Sequence, residues 1–185
     1  MKKSILLIAV VVTGGLLLNS FTSTEKVSYS KVMYKKEMNK LWKDYKSWYR
    51  VTHDHPNTGD PTGFLPNNRH KGSKGHREIY INKVGEATQK KAGNNKYPAG
   101  TVVVKEAYKD KAAWEAKKKP QLTIMVKLAA GKSPETGDWG YVMGAGGKVS
   151  TGTSHWAKFC NKCHAMAQAK DMVFMNADQL AKEKK

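Results

Sequence analysis

Cysteine is nearly absent from this chain: two occur in 185 residues, Cys160 and Cys163. A structural zinc needs four ligands, and there is no second C-x-x-C to complete one; His155 lies close by and the other histidines are remote. A disulfide between the two would close a very small loop, which bond geometry disfavours. A thioredoxin-like redox pair opens a helix after a strand in a βαβ unit, and nothing before Cys160 has that pattern. Acidic residues are also scarce, 15 against 33 basic, for a net charge of +18. The lysines are spread along the chain rather than interleaved with aromatics in one patch, and no nucleic-acid motif is present, so the charge does not argue for a nucleic-acid partner. Internal repeats are absent, and only one long apolar run occurs, at the N-terminus.

What is present is Cys160-Asn161-Lys162-Cys163-His164. C-x-x-C-H is the attachment signature of a c-type haem. Each thiol can add to a haem vinyl group to give a thioether, and the spacing brings the His164 imidazole under the porphyrin as an axial iron ligand. One haem c is expected, with iron chemistry governed by what reaches its other face. The motif lies close to the C-terminus, leaving little chain to supply a distal methionine. Met166 is too near along the same helix, and Met172 and Met175 read as core. Met125 and Met143, upstream, remain open as ligands. The simplest expectation is a five-coordinate iron with an open distal side.

The N-terminus fits this. Met1-Lys2-Lys3 is cationic, Ile5 to Leu18 is apolar, and Asn19 to Thr24 is small and polar, the three parts of a secretory signal. The apolar run is shorter than the ~20 residues that span a bilayer. Residues 1–24 are therefore expected to be a signal peptide, either cleaved or kept as an anchor, and membrane association is expected only through that segment. A single haem domain over 25–185 is expected in the periplasm, where covalent haem attachment takes place. For an exported haem protein, the positive charge suits an acidic redox partner or an anionic surface, and equally a solvated lysine-rich surface with no partner.

Between the two ends, Tyr34, Met38, Leu41, Tyr45 and Trp48 recur at helical spacing from Ser28 to Trp48. From His53 to Gly75, prolines and glycines break any period and predict a long loop carrying His53, His55 and His70. Strands are expected at His76–Asn82, Thr101–Ala107, Leu122–Ala129 and Asp138–Met143, the last three joined by short links compatible with an antiparallel sheet. Residues 108–119 read as a short helical or irregular crossing. His155–Ala169 reads as a helix that projects His164, and the end of the chain as a frayed charged tail. The fold class is α+β: an antiparallel sheet with flanking helices and a C-terminal helix carrying the haem-attachment motif.

Four segments in order, REIYIN, YPAGTVVVKE, LTIMVKLAAGKSPETGDWGYV and CNKCHAMAQAKDMVF, cover roughly residues 77–174. Together they resemble the cytochrome P-460 family. The resemblance implies one c-type haem, usually a homodimer, and in some members hydroxylamine oxidation with a lysine cross-linked to the haem rim. The related cytochromes c′-beta lack the cross-link and bind nitric oxide or carbon monoxide. The resemblance makes Lys105 of GTVVVKE the candidate cross-link, with Lys127 of IMVKL the competitor. It also implies a distal carboxylate on the strand after the cross-linking one. Leu128, Ala129 and Ala130 stand there instead, with no Asp or Glu between Leu122 and Ser133. Glu106 is expected on the opposite strand face from Lys105, and Glu135 and Asp138 lie in a turn. The reading is an exported mono-haem cytochrome acting on small nitrogen compounds, hydroxylamine or nitric oxide, with a non-catalytic gas-binding protein of c′-beta type as the alternative. A plain electron carrier is disfavoured by the late position of the motif.

Overall fold

The computed structural model describes residues 40–53, 76–175 and 177, all within the compact unit Lys31–Lys185. The signal-like segment, the start of the first amphipathic stretch, the body of the Gly/Pro-rich loop with His55 and His70, and most of the charged tail lie outside the described residues. Five strands make one sheet: β1 (Tyr49–Arg50), β2 (Arg77–Ile81), β3 (Val102–Ala107), β4 (Gln121–Lys127) and β5 (Trp139–Met143). They lie in chain order and every neighbouring pair is antiparallel. Among the described residues the helices α1 (Lys83–Lys90), α2 (Lys111–Glu115) and α3 (His155–His164) accompany them, the last continuing into a 3-10 stretch, Ala165–Lys170. The expected α+β sheet with flanking helices and a C-terminal helix is the observed fold.

Side chains alternate across a strand, and the register turns that alternation into two layers. Ile79 pairs with Lys105, Lys105 with Thr123, and Thr123 with Met143; Val103 pairs with Met125, and Met125 with Tyr141. These residues share one face with Ile81, Lys127 and Trp139. Ile79, Ile81, Val103, Trp139 and Tyr141 pack there with Ala157, Met172, Val173 and Met175 from α3 and the segment after it. The other face carries Val102, Val104, Ile124, Val126 and Val142, packed with Trp42 and Leu128.

The N-terminal stretch departs from its expected stripe. Leu41 is exposed while Trp42 is buried at 3 %, and the chain runs through a 3-10 turn, Tyr45–Ser47, into β1. The described part is too short and bent to keep one continuous helical face. Two elements have no counterpart in the sequence reading, β1 and α1. Asn82 caps α1, its Oδ1 accepting from Gly85 N at 3.3 Å, and the same side chain donates to Gly100 O at 2.8 Å. Gly85 is required: a Cβ there would meet Thr101 Cγ2 at 2.4 Å and Ile81 Cδ1 at 2.7 Å.

The second face also buries two carboxylates directly opposite one another, Glu78 and Glu106. Glu106 accepts from Tyr45 Oη at 2.5 Å and Tyr108 Oη at 2.7 Å and pairs with Lys46. Glu78 accepts from Thr52 Oγ1, Trp114 Nε1 and Lys117 Nζ at 2.8–2.9 Å. Burial pushes the Glu78 carboxyl up, but the donors from Lys117, Trp114 and Thr52 outweigh it and hold it below the ordinary value of 4.5. A carboxyl that binds its proton more weakly when folded stabilises the fold above its unfolded value and loses that contribution as pH falls through the folded one. The melting temperature is therefore expected to fall as the pH drops below about 4.5. In Glu78→Gln that part of the acid dependence is removed, giving a flatter profile of melting temperature against pH.

Candidate haem site

The site is built between α3 and the first sheet face. Ala157, 0 % exposed, seats α3 against the core. Asn161 anchors its middle, donating through Nδ2 to Glu135 O at 2.9 Å and meeting Tyr141 Oη at 3.3 Å. The helix turns Cys160, Cys163 and His164, all half-buried, to one side. No disulfide joins the two thiols. Burial pushes the Cys160 thiol up, partly offset by the positive charge of Lys105; the neighbouring Cys163 pushes the same way as burial. The Lys105 ammonium thus acts on the attachment thiol from the sheet.

His164 is oriented from behind. Its Nδ1 lies 2.7 Å from the carbonyl oxygen of Met172. A carbonyl only accepts, so Nδ1 carries the proton and Nε2 the lone pair, the tautomer that a metal-binding histidine adopts when its other nitrogen is held by a carbonyl. The ring lies between Tyr141 and Phe174, with centroids 5.4 and 5.3 Å away.

The residues fit a haem c. Around the two thiols the sheet face is only half covered: Lys105, Thr123, Met125 and Met143 are all of intermediate exposure. On the helix, Trp156 and Phe159 are 47 % and 52 % exposed, each one turn before a cysteine and so on its face. An apolar surface of this kind, with two thiols and a tautomer-fixed imidazole at its edge, suits a porphyrin.

The sequence profile of the family described as cytochrome P460 matches residues 42–175, most of the chain and all of the site. The chain belongs to the cytochrome P460 family. Membership implies a haem protein of the c type. A comparison with individually characterised proteins finds no match.

In this cytochrome P460 chain the two lysines singled out in the sequence share the haem-side face but differ in surroundings. The charge of Lys105 acts on the Cys160 thiol. Lys127 is engaged elsewhere: its Nζ reaches Asp171 Oδ1 at 2.6 Å and Oδ2 at 2.8 Å, donates to Gly137 O at 2.8 Å, and sits 5.1 Å from the Trp139 ring centroid. The three candidates for the distal pocket are not brought to the motif. Leu128 packs in the opposite layer, because it lies one residue past Lys127 and faces the other way, and Ala129 and Ala130 are exposed in the turn after β4. Met125 and Met143 lie on the haem-side face, while Met172 and Met175 are core residues, each 6 % exposed. Among the described residues of β2–β5, no carboxylate lies on that face. Glu106 points away from it, as its place beside Lys105 requires. Asp138 is engaged in its own turn, accepting from Ser133 N at 2.8 Å and Gly131 N at 3.0 Å; those donors, Ser133 first, hold its carboxyl below the usual range. His53 is exposed.

Sequence reasoning missed Asp171 and the role of the Met172 carbonyl, although both lie in the DMVF segment that carried the family resemblance. Their function depends on contacts with residues 44 and 8 positions away, and no local pattern marks such contacts.

Proposed function

We propose that this is an exported mono-haem cytochrome of the c type that acts on small nitrogen compounds at an open distal iron face. Cys160 and Cys163 would hold the haem through thioethers, and His164 would ligate its iron. The observation that carries the reading is the His164 ring, its Nδ1–H committed to Met172 O beside two thiols on a half-covered apolar face. When bound, the haem supplies a redox-active iron with one protein ligand.

The chain's own groups do the rest. Met172 O keeps the proton on Nδ1 and increases the electron donation of the imidazole. Tyr141 and Phe174 pack against the ring from two directions. Lys105 is the candidate cross-link to the haem rim, because its charge acts on the Cys160 thiol, while Lys127 is held by Asp171. Hydroxylamine oxidation needs a proton acceptor beside the substrate. The second reading, a gas-binding protein of c′-beta type, is favoured by the absence of a carboxylate on the haem-side face of β2–β5 among the described residues, the nearby Asp171 being taken by Lys127. An acidic redox protein as electron acceptor and a homodimer complete the proposal.

A spectrum of the reduced protein, together with peptide mass mapping, tests the reading. A red-shifted Soret band and a haem-bearing peptide containing Lys105 are expected for the cross-linked enzyme, and Lys105→Arg should restore an ordinary c-type spectrum. An ordinary spectrum with unmodified Lys105 in the native protein leaves the gas-binding reading. A low-spin, six-coordinate iron with a methionine ligand contradicts both.

A further inference from the structure

The core of the haem side contains a buried ion pair. Lys127 and Asp171, with side chains 11 % and 8 % exposed, meet through both carboxylate oxygens. Asp171 is tied from two more directions: Oδ2 accepts from Tyr97 N at 2.8 Å, and its carbonyl accepts from Trp139 Nε1 at 2.9 Å. Asp171 and the next residue, Met172, both have left-handed backbones, with φ of 51° and 65°. Two consecutive non-glycine residues in that region are costly and persist only where the surroundings impose them. The carbonyl of the second one accepts the His164 Nδ1–H.

We propose that the Lys127–Asp171 pair is a positioning device for the axial histidine. It holds the 171–172 turn in its left-handed form and so aims the Met172 carbonyl at Nδ1. The inference rests on the haem reading of His164. It makes Lys127 a positioning residue acting through a backbone carbonyl, although the residue lies on the same face as Lys105. A buried ion pair is a poor source of net stability, since desolvation offsets much of the attraction. An arrangement that instead fixes one strained turn against the ligand accounts for why charge is placed there. Gly137 contributes: it gives a carbonyl to Lys127, and a Cβ there would meet Met172 Cε at 3.1 Å.

The test uses the full-length, haem-loaded protein, read by resonance Raman of the iron–histidine stretch in the ferrous form and by the haem reduction potential. Lys127→Met/Asp171→Asn removes both charges together and leaves no unpaired buried ion. A lower iron–histidine frequency and a higher reduction potential are expected, because a weaker hydrogen bond at Nδ1 makes the imidazole a poorer donor. Lys127→Arg, which keeps the pair, should return both readings to the native values. Glu106→Gln, in the opposite layer, should lower stability without moving either. If the double variant does not fold, Asp171→Asn is compared by the iron–histidine frequency alone, since the charge left on Lys127 moves the potential by itself; its amide oxygen can still accept from Tyr97 N. Native frequency and potential in a folded, haem-loaded variant overturn the proposal, as does an equal shift in Glu106→Gln. Native protein without haem would overturn the haem reading itself, before any variant is compared.

Discussion

Replacing Cys160 and Cys163 together with alanine is expected to abolish haem retention under denaturing electrophoresis, conditions under which the native protein is expected to keep its haem. The expectation follows from the placement of the thiols. Both are half-buried on the side of α3 that faces the apolar sheet surface, and no disulfide removes them from chemistry. Each single variant should keep one thioether and stain for haem at reduced yield; the double variant should not stain at all. A folded double variant is expected, because neither side chain belongs to the fully buried core: Cys160 only borders it. Circular dichroism of the double variant separates loss of attachment from loss of fold. Denaturation-resistant haem in that variant would mean that another group, with Lys105 the first candidate, holds the cofactor covalently.

The second large effect falls on stability. Trp139→Ala is expected to cost about 3–5 kcal/mol, the range for emptying a buried aromatic site. Trp139 is fully buried, stacks edge-on against Tyr97 with centroids 5.8 Å apart, and donates to Asp171 O. Its loss opens the core and releases one tether of the 171–172 turn. At about 2–4 °C per kcal/mol for a domain of this size, the melting temperature falls by roughly 6–20 °C. Val84→Ala, at a side chain 49 % exposed, should stay within about 0.5 kcal/mol of native. Chemical denaturation of the two variants side by side measures the contrast, and equal losses would contradict the layer assignment of β5.

The strands that could be read in advance were those whose alternation is long enough to be unambiguous. REIYI, VVVKEA, QLTIMVK and WGYVM each bury one apolar set per face, and they form β2–β5 in the expected antiparallel order. β1 has two residues, too few to show a period. α1 carries Gly85 in its first turn and polar residues through most of its length, so its apolar signal is weak. The layer of Leu128 was within reach of the same alternation that placed Lys105, but the turn after Lys127 ends the strand before Ala129. The motif C-x-x-C-H was fully legible as local chemistry. What surrounds it was not: Tyr141, Phe174 and the Met172 carbonyl reach His164 only through tertiary packing, and the partner that occupies Lys127 lies at the far end of the domain sequence.

The most direct test of the haem site is the intact mass of the purified protein, produced in a host able to mature c-type cytochromes and measured after denaturation. One haem per chain, retained covalently and localised by peptide mapping to the segment containing Cys160 and Cys163, is the expected result. A mass equal to the polypeptide alone, with both thiols still open to alkylation, would contradict it.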